Sequence, residues 1–208
     1  RTSCVNNMRQ IGLALHNYHD IQQAMPSGWI AYDPATNLPL ATGQPGWGWA
    51  AMLLPHLEQQ NVSQTMIQFS LPITDPVHTA VRMQALPVFR CKSDPGEASF
   101  NLPANNDPAV ALTRLATSNY VGVFGTTEIE DCEGVPLGQI CRSRGAFQHM
   151  VGVRFAEILD GLSNTLVVGE RSSRYGYSTW LGAVPGGEEN MERILGIADH
   201  PPNHPGAH

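Results

Sequence analysis

Eight histidines, four cysteines and scattered carboxylates are the side chains in this 208-residue chain that could do chemistry. His16 and His19 lie three apart, so on a helix they would share a face, a spacing that zinc can use. No Glu or Cys joins them locally, and Asn17 and Asp20 leave the stretch merely polar, so surface or helix-end histidines are the simpler reading. His200, His204 and His208 recur every four residues, yet Pro201, Pro202 and Pro205 forbid the helix that would align them; convergence through a loop stays open. Asp160-Gly161-Leu162-Ser163-Asn164-Thr165 offers oxygens to calcium, with Asp160 and Asn164 as candidate ligands. Calcium takes about six to eight oxygens, several of them from carboxylates. This loop supplies one Asp, and an Asx-type turn in which Asp160 and Asn164 hold backbone N–H groups is the preferred alternative. The acidic run Glu128, Glu130, Asp131, Glu133 is a second calcium candidate, weighed against a solvated charge run. No other cofactor is expected.

Catalytic constellations are not apparent. There is no G-x-S-x-G around Ser163 or any other serine. Gly46-Trp47-Gly48 is followed by no third glycine, and no Gly-Lys-Ser occurs, so neither dinucleotide nor P-loop chemistry is indicated. Glu188-Glu189 sits in a glycine-rich stretch and reads as solvated. The expectation is that the protein is not an enzyme. Trp29, Trp47, Trp49 and Trp180 offer a carbohydrate-stacking platform, but tryptophans bury large areas, and packing between elements is preferred.

Composition narrows the classes further. Twelve basic against eighteen acidic residues give a net charge of -6, and clustered Lys and Arg are what phosphate backbones require; no nucleic-acid partner is expected. Mean hydropathy is -0.18, and no apolar run approaches the ~20 residues of a membrane span. Charged residues at 14% and hydrophobic residues at 42% argue for a folded chain. Twenty glycines and sixteen prolines make it loop-rich. Cys4, Cys91, Cys132 and Cys141 form no C-x-x-C, which disfavours zinc ribbons and thioredoxin-like motifs. An even count in such a chain fits an oxidising compartment, with three pairings open and four free buried thiols as the alternative.

The elements that must carry these residues begin with a helix. Cys4, Met8, Ile11, Leu15 and Tyr18 step by four and three and form one stripe, with Thr2 or Ser3 as N-cap, over residues 2–20. We expect it to be the lower half of a longer helix preceding Arg1. Residues 26–46 read as loop. Trp47–Leu54 reads as a short apolar helix, Pro55 to about Met66 as a second, and Asp75-Pro76 as cap and first position of a third. Pro87–Cys91 reads as a strand ending in the turn Lys92–Gly96, and residues 96–117 show little regularity. Asn119–Phe124, Ala146-Phe147 and Thr165–Arg171 read as strands, with Tyr177–Leu181 as partner of the last. Helices first and antiparallel strands later make an α+β order, taken as one domain over residues 1–208.

Several of these segments together resemble a known family. Cys4–His19, Leu53-Leu54-Pro55-His56-Leu57-Glu58-Gln59, Phe89-Arg90-Cys91-Lys92-Ser93-Asp94-Pro95, Asp160–Thr165 and Val168-Gly169-Glu170 occur in the order found in DUF1559 proteins, pseudopilin-like proteins abundant in planctomycetes. The resemblance implies a type IV pilin-like fold, a long N-terminal helix packed on an antiparallel β-sheet, with extra short helices here. It also implies a prepilin leader, cleaved and N-methylated, and an apolar helix half that anchors the protein in the membrane or a filament. The function so implied is a structural subunit of a filament or secretion apparatus, periplasmic or at the cell surface, partnered by its own copies or other pseudopilins. The rival expectation is a membrane-tethered binding module for polysaccharide or peptide, using the tryptophans and the acidic loop.

Overall fold

A computed structural model describes residues 2–199. The first helix, α1 (Thr2–Gln22), is by far the longest. It buries Cys4, Asn7, Ile11, Ala14 and Leu15, with Met8 and Tyr18 packed against the core from its margin. Burial therefore follows the apolar stripe, with Asn7 as the polar intruder. Thr2 and Ser3 already lie inside the helix and do not cap it. Its end is marked by Gln23, whose φ of 58° reverses the chain while its N–H donates to His19 O at 2.7 Å.

The rest is built from short pieces. In chain order they are β1 (Trp29–Tyr32), β2 (Gln44–Gly48), α2 (Trp49–Met52), α3 (Gln60–Thr65), α4 (Thr79–Arg82), β3 (Ser99–Ala104), β4 (Asp107–Ser118), β5 (Tyr120–Gly125), β6 (Phe147–Gln148), β7 (Val151–Gly152), β8 (Val168–Glu170), β9 (Ser178–Thr179) and β10 (Leu195–Ile197). They pair as β1-β2, β10-β5-β8, β3-β4-β9 and β6-β7. Every pairing is antiparallel except β10 with β5. The class is α+β, as expected.

Several local expectations are corrected. Trp47 and Gly48 end a strand, and the helix expected from Trp47 starts only at Trp49. Beyond Pro55 the expected helix splits into a tight turn, Leu54–His56, and α3. At Asp75 the cap forms as expected, its carboxylate accepting from Val77 N–H at 2.9 Å. Pro87–Phe89 is a 3-10 turn rather than a strand, because Pro87 suits a first helical position. The largest miss is the β3–β4 hairpin in the stretch read as irregular. Phe100, Leu102 and Ala104 alternate inward along β3, but Pro103 and Pro108 mask the pattern. The register slips beside Pro103, the kind of bulge where a strand tolerates proline. Finally, Ser178-Thr179 pairs with Thr117-Ser118 of β4, while β8 takes β5 as partner; of the stretch Thr165–Arg171, only Val168–Glu170 is strand.

The core is aromatic. Trp29, Trp47, Trp49, Trp180, Tyr120, Phe89, Phe124 and Phe147 are its largest fully buried members. Each indole N–H finds a backbone carbonyl: Trp29 that of Ala41 at 2.9 Å, Trp47 Leu71 at 3.0 Å, Trp49 Ile194 at 3.0 Å and Trp180 Gln84 at 3.1 Å. These bonds offset the cost of burying a donor. Buried His149 lies 5.0 Å from Trp29, ring over ring, and contacts Ala31 O through Nε2 at 2.7 Å. Burial holds its pKa below the ordinary value, so the neutral ring donates through Nε2 and accepts Cys141 N–H through Nδ1 at 3.4 Å. Close approach requires glycine at Gly46, where φ is 90° and a Cβ would meet Ala183 O.

The seat of α1 differs from a helix laid across a sheet face. Its chief backbone neighbours are the turns Leu54–His56 and Pro87–Phe89. From the strands, Tyr120 of β5 reaches it, donating to Cys4 O at 3.3 Å. Two turns thus supply the main seat of α1.

Candidate functional site

Two of the motif segments, the start of α1 and residues 87–91, meet beside β5. Cys4 is bonded to Cys91 and Cys132 to Cys141, which resolves the three open pairings. Next to the first bridge, Asn7 Nδ2 donates to Pro87 O at 3.0 Å and to Arg90 O at 2.9 Å. The segment 87–91 is held from its other side by Asn119, buried at the joint between β4 and β5. Asn119 Oδ1 accepts Cys91 N–H at 2.9 Å, and its own N–H donates to Phe89 O at 2.8 Å. Its Nδ2 donates to Arg171 O at 3.2 Å, and Arg171 N–H returns to Asn119 O at 2.8 Å. One asparagine therefore ties the disulfide segment to the strand pair and to the chain after β8.

Asp94 repeats the device one turn further on. It accepts from Gly96 N–H, Ser173 N–H and Ser172 Oγ, each at 2.9 Å. Burial alone would push its carboxyl up, but the bonds from Ser173, Gly96 and Ser172 outweigh it and hold the group well below the usual carboxylate range. Arg90 closes the same loop through Gly96 O at 2.6 Å and Glu97 O at 3.0 Å. The matched segments 89–95 and 168–170 thus meet through residues between and beside them. Several of these positions lie in the family-like segments, but their long-range bonds leave no local pattern. The signal available was an Asn between two strands and an Asp in a turn after a half-cystine.

The sequence-derived candidates are placed differently. Cys4, Cys91 and Glu170 form the one close group of three His, Cys, Asp or Glu donors among the described residues, and the disulfide consumes two of them. His16 and His19 both turn to Phe155: His16 edge-on at 5.0 Å, His19 stacked at 3.7 Å with Nε2 accepting Phe155 N–H at 3.2 Å. They serve packing at the end of α1. His200, His204 and His208 lie outside the described residues. At Asp160 the chain makes an exposed turn, but Asn164 Nδ2 donates to Asp160 O at 3.0 Å, so the asparagine serves a carbonyl and not the N–H expected. Ser163 is exposed in the same turn. All four tryptophans are buried, which corrects the stacking platform and removes those residues from the binding-module reading. Glu188 and Glu189, read as solvated, flank Arg193 at 3.5 and 3.1 Å.

The acidic run contributes one partner to an electrostatic pair. Glu128, Glu130, Glu192 and Arg171 line a small cavity beside β10. Arg171 Nη1 donates to Glu192 O at 2.6 Å and Nη2 to Leu195 O at 3.1 Å. Burial, a hydrogen bond with the Glu130 carboxyl and the charges of Glu130 and Glu189 push Glu192 from 4.5 up to about 7, against the pull of Arg171. The native state therefore binds more protons than the unfolded chain between those values, so this stabilisation is full below about pH 4.5 and fades as pH rises through about 7. Glu192→Gln copies the protonated form. Its melting temperature relative to wild type should rise between pH 5 and pH 8; an offset that stays constant across that range contradicts the shared proton.

A second concavity, of about 340 Å³, opens at the far end of α1. Met25, Met52 and Met150 line it, with Tyr18, Gln22 and Ser27 as its polar members. Sequence gave no hint of it, because the three methionines come from a loop, a helix end and a hairpin turn.

Against known proteins, the family described as "Protein of unknown function (DUF1559)" matches residues 1–200. No curated protein and no solved structure matches the chain.

Proposed function

Because the chain belongs to the DUF1559 family, we propose that it is a non-catalytic structural subunit, the head of a pseudopilin-like protein in a filament or a secretion or surface apparatus. In this reading an apolar segment ahead of α1 anchors it in the membrane or filament, the head is periplasmic or at the cell surface, and its partners are its own copies or related subunits. The observation that carries the reading is the fixation of α1. A disulfide, Asn7 and Tyr120 bind its first two turns to the head, so a pull along the helix reaches the core. Its outward residues Val5, Leu13 and Ile21 stay 51%, 62% and 67% exposed, leaving apolar surface for neighbouring helices. Two disulfides suit an oxidising compartment. The type IV pilin likeness is proposed in the same sense, with turns as the seat of the helix.

The test uses the full-length precursor in its host. Leu13→Cys should give copy-to-copy crosslinks on oxidation, and Leu13→Lys should abolish surface filaments seen by electron microscopy while the head's melting temperature stays within about 2 °C. A precursor that reaches the membrane yet neither crosslinks nor forms filaments contradicts the proposal.

A further inference from the structure

The methionine cleft is served by nothing in the structural reading above. The chain has seven methionines, and three of them face this one concavity, whose wall contains no charged side chain. Met25 forms a buried part of the wall, at 2% exposure; Met52 and Met150 are half-buried. Ser27 Oγ lies 3.9 Å from Met52 Sδ and donates to it, which fixes that thioether at the wall.

Met150 is held in an uncommon backbone state. It sits with His149 in the two-residue turn between β6 and β7 with φ of 56°. Glycine or asparagine fills such positions at little cost, and a long side chain there is uncommon. Its presence points to a use for the side chain, which lines the cleft.

The donors decide the ligand class. Thioethers are soft, uncharged ligands that favour Cu(I), whereas calcium and magnesium require hard oxygens and zinc prefers imidazole or thiolate. All four cysteines are spent in disulfides, so methionine sulfur is the soft donor this chain has left. Tyr18 and Gln22, from the C-terminal end of α1, also line the wall. The carbonyl end of a helix dipole carries a negative partial charge that favours a cation nearby.

We propose that Met25, Met52 and Met150 form a binding site for a soft monovalent cation, Cu(I), at the far end of α1. The test titrates the oxidised protein with Ag(I), an air-stable probe of the same softness, and with Cu(I) under anaerobic conditions against a competing chelator. Wild type should bind one ion per chain, with the methyl NMR signals of Met25, Met52 and Met150 shifting and those of Met66 and Met83 still. Met52→Leu and Met150→Leu nearly conserve volume and should each weaken binding at least tenfold without lowering the melting temperature by more than a few degrees. Calcium and zinc should leave the three methyl signals unmoved. No stoichiometric binding, binding undiminished in both variants, or shifts confined to other methionines would overturn the proposal. The wild-type methyl spectrum decides it even if a variant fails to fold.

Discussion

Replacing Cys4 and Cys91 together by alanine should lower the unfolding free energy by about 4–5 kcal/mol, against about 3 kcal/mol for the Cys132 and Cys141 pair. The bridges close loops of very different length, with separations of 87 and 9 residues, and the chain-entropy cost of opening a loop grows with the logarithm of its length. The longer bridge also has the larger mechanical role, since it ties the first turn of α1 to the segment that Asn119 anchors. Urea melts of both double variants at one pH measure the difference. A smaller loss for the long-loop pair would show that the bridge is strained or that the unfolded chain already holds those ends together.

Asn119→Ala should cost about 4 kcal/mol, an effect close to that of the long bridge. The side chain is 1% exposed and satisfies Cys91 N–H and Arg171 O at once. Removing it strands a buried donor and a partly buried acceptor, each at about 1–3 kcal/mol, and opens a small cavity. The denaturant midpoint should fall with the slope unchanged. A loss below about 1 kcal/mol would mean that water or a backbone shift replaces both bonds, and that the joint between β4 and β5 is not the hub described here.

The parts of the fold legible in sequence are those whose partners are near in the chain. The stripe from Cys4 to Tyr18 repeats every three or four residues, and Asp75 caps a turn two residues away; both are local physics and both appear. β5 was readable because Tyr120–Phe124 is apolar and β-rich. The β3–β4 hairpin was not, because two prolines suggested loop while distant pairing and a bulge accommodated them. Tyr177–Leu181 was assigned the wrong partner for a similar reason. Strand pairing is decided by where β4 and β5 turn through Asn119, which no local pattern reveals.

The candidate site follows the same rule. Half-cystines were identifiable, but their pairing was a question of three-dimensional approach. Asp94 and Asn119 looked like ordinary turn and strand-end residues, since their partners lie up to 79 residues away. The tryptophans could be weighed only by composition until burial placed them in the core. Glu130 read as part of a solvated run because Glu192, its partner, lies on a remote segment.

The claim on which the account rests is that α1 and the head move as one rigid body. Native-state hydrogen exchange of the oxidised protein measures this directly, residue by residue. Amides of Met8 through Leu15 should exchange with the same free energy as those of Tyr120–Phe124, through global unfolding alone. Exchange of the helix at a far lower free energy than β5, with the disulfides intact, would show that α1 opens independently and would contradict the account.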